Sequence, residues 1–346
     1  MRKENAGISK VALSVLDLVP IGAGSSSAEA LRHSVELARH AERLGYVRQW
    51  FAEHHGMPSI ASSAPELIIA HVATQTEQIR LGSGGIMLPN HAPMRIAEAF
   101  LTLEALHPGR IDLGIGRAPG ADRRASAAMR PFEAEYFPTQ LNELVWVARG
   151  EFPEGHAFEG LRAVPGDVPL PPIWLLGSSG ASARLAGSLG MGYSFARHFS
   201  PAPAAPPMLA YRESFQPSEQ FPEPHAIIAV SVVCAETEDE AEYLAGALDL
   251  MWVRAQRNEF KPIPTPEEAA AYRYSPAELA IVHENRGRHF VGTPETIVPR
   301  IEALVRETQA NEVMVTTMLP LQEKRLRSYE LLARAWYGGT QGGGGA

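Results

Sequence analysis

Three short stretches of this sequence carry side chains with chemistry beyond packing. Glu53-His54-His55 closes the apolar run Val47 to Ala52. A histidine there can donate, accept or hold a proton near neutral pH. It can equally cap a helix, satisfy a buried backbone group or, with Glu53, ligate a metal. Adjacent residues of an extended segment point to opposite sides, so the three cannot all face one ion. The second stretch, Gly177-Ser178-Ser179-Gly180, joins the run Ile173 to Leu176 to a helical pattern that includes Ser182. Glycines let backbone approach closely, and hydroxyls together with free N–H groups at a helix start suit a phosphate. Ordinary N-capping by Ser178, Ser179 or Ser182 would use the same residues. The third is Arg117, at the end of Ile111 to Gly116. It could grip a phosphate with a forked pair of hydrogen bonds or sit in an ion pair. Gly84-Gly85, inside the run Arg80 to Leu88, marks a bulge, a close ligand or tight helix packing.

All of these lie at the carboxyl ends of predicted strands, where parallel α/β sheets keep their chemistry. The clearest positioning unit is Ile79 to Pro119. It reads as strand, turn, helix, turn, strand, with Pro93 in the first helical turn and an apolar stripe from Met94 to Leu106. Two short apolar strands joined by one helix form a right-handed βαβ unit. The same alternation runs along the chain. Strands are predicted at 11–18, 47–52, 80–88, 111–116, 173–176, 193–196, 226–234 and 312–317. Helices follow, the first with capping-box spacing at Ser26 and Glu29 and a stop at Gly45. Residues 253–292 read as an excursion with its own helical pieces, and 120–138 as a polar loop. Eight strands alternating with helices predict a closed (β/α)8 TIM barrel with insertions in strand-helix loops; a doubly wound open sheet is the alternative. The barrel is expected to be a single domain over 1–337, with 338–346 a disordered Gly-rich tail.

Composition narrows the function. The chain has 346 residues, is 45% hydrophobic and carries a net charge of −8 without a basic cluster, which argues against nucleic acid and anionic membrane surfaces. No apolar run is long enough to span a bilayer, and the charged start MRKENAGISK leads straight into a strand, so a cytoplasmic protein is expected. The single cysteine, Cys234, lies in an apolar run and is expected to be buried. LGIGRAPG falls short of a dinucleotide fingerprint.

Taken together and in order, WFAEHH, GSGGIMLPNHAP, HPGRIDLGIGRAPG and WLLGSSGAS resemble the bacterial luciferase-like flavin-dependent monooxygenases, over most of the chain. The resemblance implies a (β/α)8 barrel, reduced FMN (FMNH2) as co-substrate with O2, and an apolar substrate such as an aldehyde or alkane oxygenated through a flavin C4a-hydroperoxide. It gives His54 a proton-transfer role and sets Gly84-Gly85, with a cis bond, against the isoalloxazine ring. Arg117, Ser178, Ser179 and Ser182 fall at the FMN phosphate. It also implies a homodimer through the helices at 65–76 and 94–106, and with no nicotinamide fingerprint a separate flavin reductase is expected. Light-emitting members carry a cysteine where Gly116 stands and an acidic residue where Ser178 stands, which argues against light emission here. Two other readings keep the barrel: a deazaflavin-dependent dehydrogenase and a non-catalytic flavin-binding protein.

Overall fold

The computed structural model describes residues 11–129 and 134–338. The predicted tail beyond Gly338 and the charged stretch before Val11 lie outside them, as do residues 130–133 of the predicted polar loop. Among the described residues there are ten strands, numbered in chain order: β1 (Ala12–Asp17), β2 (Arg48–Phe51), β3 (Arg80–Ser83), β4 (Ile86–Met87), β5 (Ile111–Gly116), β6 (Ile173–Gly177), β7 (Gly192–Ala196), β8 (Ala226–Cys234), β9 (His289–Gly292) and β10 (Glu312–Thr316). The helices are α1 (Ser27–Arg43), α2 (Pro65–Ala73), α3 (Pro93–Leu106), α4 (Arg123–Met129), α5 (Phe137–Arg149), α6 (Gly180–Ser188), α7 (Ala205–Ser214), α8 (Glu238–Gln256), α9 (Pro266–Ala271), α10 (Pro276–Arg286), α11 (Pro294–Thr308) and α12 (Gln322–Tyr337).

Every strand pairing in the sheet is parallel, in the order β1, β2, β3, β5, β6, β7, β8, β10, and β10 returns to β1. The sheet is therefore a closed eight-stranded barrel with the helices between strands, and no edge is left along that circuit. Its strands bury residues on both faces, as continuous apolar runs such as Ala226 to Cys234 require. Local signals act as read. Ser26 and Glu29 form the capping box of α1, and Gly45 follows that helix at φ +84. Pro65 and Pro93 open α2 and α3. Cys234 is buried.

Three predicted stretches change, the first being the polar loop at 120–138, which holds α4 and the start of α5. The run Arg80 to Leu88 is not one strand: the Gly84–Gly85 peptide is cis, and a 3-10 turn over Leu88–Asn90 follows β4. The excursion after Val253 contains helices and also β9, a ninth parallel strand. Register explains it. β7 pairs with β8 up to Ala229, and β9 then pairs with Ser231 to Cys234 beyond it. A four-residue strand of this kind is defined by the edge it docks on, not by its own pattern.

The amino-terminal end of the barrel is closed by buried charge. Arg48 donates to Asp112 at 2.7 Å and to Glu312 at 2.8 Å, while Arg80 holds the other Asp112 oxygen at 2.6 Å. Trp50 Nε1 donates to Asp112 at 3.1 Å, and His225 faces Glu312 at 3.2 Å. Arg48 thus ties β2 to β5 and β10, and Arg80 adds β3 through the same Asp112. The opposite, carboxyl-terminal end is open, and the candidate residues lie there.

Candidate functional site

The candidate residues follow strand ends: Gly84, Arg117 and Ser178 come directly after β3, β5 and β6, and His54 comes after β2 with Ala52 and Glu53 between. Barrel closure brings these strand ends around one cavity of about 400 Å³. Its wall includes His54, Gly84, Arg117, Ser178, Ser179 and Ser182. Gly85 is the exception. It packs against the β5 backbone, where an added Cβ would lie 2.7 Å from the Gly114 carbonyl oxygen. Gly84 is equally confined, since a Cβ there would meet Leu16 Cδ1 at 2.7 Å and Trp50 Cβ at 2.9 Å. A side chain could not be added at either glycine without moving the barrel wall.

The EHH triplet splits as the alternation of an extended segment requires. Glu53 is fully buried and accepts from His55 Nε2 at 2.9 Å, His91 Nε2 at 3.0 Å, Met87 N at 2.8 Å and Asn90 Nδ2 at 3.1 Å. Burial alone would raise its carboxyl, but these donors, His91 first, outweigh burial and hold it below the usual range. Glu53 and His55 thus fasten the segment that follows β4, and His54 faces the cavity. His54 Nδ1 lies 3.3 Å from the Gly120 carbonyl. A carbonyl only accepts, so Nδ1 carries the proton and Nε2 presents a lone pair. Burial keeps this imidazole below its ordinary pKa, against the pull of the Gly120 carbonyl, so it is neutral at pH 7.

At the other end, Ser179 is the N-cap residue of α6, but its side chain makes no capping bond. The first N–H groups of α6 therefore keep their donors free for something else. Ser182 is buried beside Gly177. The backbone carbonyls of Ser178 and Ser179 are engaged by the Ser200 and Tyr193 hydroxyls at 3.1 and 3.3 Å, which fixes the loop while leaving its own hydroxyls unspent. Arg117 is exposed and makes no ion pair among the described residues. A positive side chain, an uncapped helix start and unspent hydroxyls meet at one end of the cavity, with Leu16, Met87, Leu176 and Met314 along its floor. Such a lining can take an anion beside an apolar group. Gly116 faces the tip of the Met87 side chain: an added Cβ would lie 2.7 Å from Met87 Sδ, so a larger residue there requires Met87 to move.

The sequence matches the luciferase-like monooxygenase family over residues 11–312. This chain belongs to that family. A luciferase-like monooxygenase of Escherichia coli (strain K12) is 41% identical over 324 residues, covering 93% of this chain and 96% of the relative. The N-acetyl-S-alkylcysteine monooxygenase of Bacillus subtilis (strain 168) is 34% identical over 334 residues, 94% of this chain and 98% of that one. Among solved structures, apo-MsnO8 is similar at a TM-score of 0.85 with 36% identity, covering 94% of this chain and 98% of its own.

This luciferase-like chain has two further site residues that sequence reasoning passed over. His198 and Phe199, just after β7, line the first cavity and also a second one of about 330 Å³ beside it. The rule that singled out His54, a polar residue just past a strand end, applies equally to ARHF after Tyr193 to Ala196. Leu18 and His54 are shared between the two cavities as well.

Proposed function

We propose that this luciferase-like monooxygenase binds FMN in the first cavity and uses reduced FMN and O2 to oxygenate an apolar small molecule held in the second. The observation that carries the reading is the convergence of Arg117, the uncapped start of α6, Gly84 and His54 on a single cavity. Arg117 and the Ser178, Ser179 and Ser182 loop would hold the phosphate, and the slot beside Gly84 would take the ring. Bound reduced FMN would supply the electrons that activate O2. The chain's own part is position, dryness and one proton. The floor of Leu16, Met87 and Met314 excludes water. His54 Nε2 is placed, by its lone pair, to accept a proton and later return it.

No nicotinamide fingerprint stands at a strand end, which supports a separate flavin reductase as the source of reduced flavin. No helix among the described residues is long and apolar enough to cross a membrane, in keeping with a cytoplasmic enzyme. Leu67 on α2 and Leu106 on α3 are 68% and 63% exposed, which supports a homodimer through those helices. The test is oxygen uptake by the protein with a generic flavin reductase, against a panel of apolar aldehydes, alkanes and sulfur compounds. Oxygenated product that forms only in the presence of reduced FMN and O2 is expected. Hydride transfer to a deazaflavin without oxygen uptake would replace the monooxygenase with a dehydrogenase, and tight flavin binding without any turnover would leave a binding protein.

A further inference from the structure

We propose that the second cavity selects an uncharged molecule with an apolar body and one hydrogen-bond-accepting head, and that His198 and His289 are the residues that bind the head. This rests on the second cavity being the substrate chamber of the proposed monooxygenase.

Apart from Ser59 and the ionic Arg254, Glu259 and Lys261, the chamber's polar side chains gather on one wall. Met57, Ile60, Met251, Trp252, Phe260 and Met318 supply its apolar surface. Register sets the polar side. Ser231 on β8 is paired laterally with His289 on β9 and with Thr316 on β10. Registered neighbours in a parallel sheet project to the same face, so the three stand in a row, and all three line the chamber. His198 and His54 complete that wall where the chamber meets the first cavity.

The two histidines face an unfinished hydrogen-bond account. Nδ1 of His198 and Nδ1 of His289 are both sealed from solvent without a partner. A sealed N–H is costlier to leave unmet than a sealed lone pair. The proton therefore sits on Nε2 of each ring, the nitrogen that is not sealed. Burial holds both imidazoles neutral, His198 at about 4 and His289 at about 3, the latter with help from the surrounding arginines. The wall thus offers two N–H donors next to the lone pair of His54, and no net charge.

The ionic groups at the rim are already matched. Arg254 is bound by Glu268 at 2.5 Å, and Lys261 lies 3.6 Å from Glu259. A carboxylate or an ammonium entering the chamber would lose its water and find no free counter-ion. A carbonyl, ether or similar oxygen finds two donors waiting. A pure hydrocarbon would leave both unmet.

The experiment measures binding to the full-length protein by calorimetry, with and without oxidised FMN, for four probes of one medium chain length: an alkane, a methyl ketone, a carboxylate and a primary amine. The ketone is expected to bind about five- to tenfold tighter than the alkane, the scale of one or two neutral hydrogen bonds, and tighter than either ion. His198→Ala and His289→Ala each should shrink the ketone-to-alkane ratio, and His198→Gln, which keeps an N–H donor, should restore most of it. A merely structural role would weaken ketone and alkane together and leave the ratio unchanged. His289 does not line the first cavity, so FMN affinity should be unaltered in His289→Ala. Should FMN fail to bind the wild-type protein while the ketone preference persists, the flavin reading falls and this one stands. Equal binding of ketone and alkane, tighter binding of either ion, a ratio that survives both alanine variants, or binding of none of the four overturns it.

Discussion

Arg48→Met should cost the fold about 3–5 kcal/mol, the usual penalty for removing one member of a buried ion pair. In urea unfolding, the midpoint is expected to drop steeply with little change in slope. Asp112 keeps Arg80 and the Trp50 N–H, but Glu312 is left without a guanidinium, with only His225 and the Ser14 hydroxyl, deep at the closed end of the barrel. Removing a surface pair such as Arg334 with Glu330 should cost no more than about 1 kcal/mol by comparison. The same cluster sets the acid response. Burial alone would raise Asp112 and Glu312, yet Arg48, aided by Arg80 at Asp112 and by His225 at Glu312, holds both carboxyls below the ordinary range. A carboxyl depressed in the native state contributes stability that is complete above its unfolded value, near 4, and lost as pH falls through the folded one. Wild type should therefore weaken as pH drops below about 4, and Arg48→Met should show a flatter acid limb from a lower plateau. A loss under about 1 kcal/mol in this variant would mean that the cluster is not what ties β2, β5 and β10 together.

His54→Ala carries the largest expected effect on activity. Removing a positioned proton-transfer group lowers turnover by about 10²- to 10⁴-fold, while FMN affinity should stay within a few-fold because the phosphate end of the cavity is untouched. The pH profile gives an independent check. Burial places the His54 imidazole below its ordinary value, so Nε2 keeps its lone pair through the neutral range. Product formation in wild type should hold steady around neutrality and fall on the acid side, below about 6.5. Turnover of the alanine variant equal to wild type, or an acid limb that survives the substitution, would remove His54 from the proton path.

What the sequence made legible, and what it did not, follows from where each signal resides. His54, Arg117 and the Ser178 loop could be found because each stands just past the end of an apolar strand, and that local rule coincides with the open end of a closed barrel. The split of Glu53-His54-His55 into one inward and two structural members follows from alternation alone. Gly84 and Gly85 differ in a way no spacing contains: one lines the cavity and the other packs on the β5 backbone. The second cavity was out of reach because its wall is drawn from loops and helices remote in sequence, such as Met57, Trp252 and Phe260, with no common period. β9 was missed because its four residues make a strand only by docking beyond the end of β7. His198 was within reach of the strand-end rule, but its neighbours Arg197 and Phe199 include no glycine or serine to mark a ligand loop.

The proposed flavin site requires a phosphate held between Arg117 and the start of α6. Its most direct measurement is the affinity of the protein for FMN and for riboflavin, which differ only in that phosphate, in wild type and in Arg117→Ala. Charge-assisted hydrogen bonds contribute about 1.5–3 kcal/mol, so wild type should bind FMN at least about tenfold more tightly than riboflavin. The arginine variant should lose much of that margin while keeping its affinity for riboflavin. Equal affinity of wild type for the two flavins would contradict it.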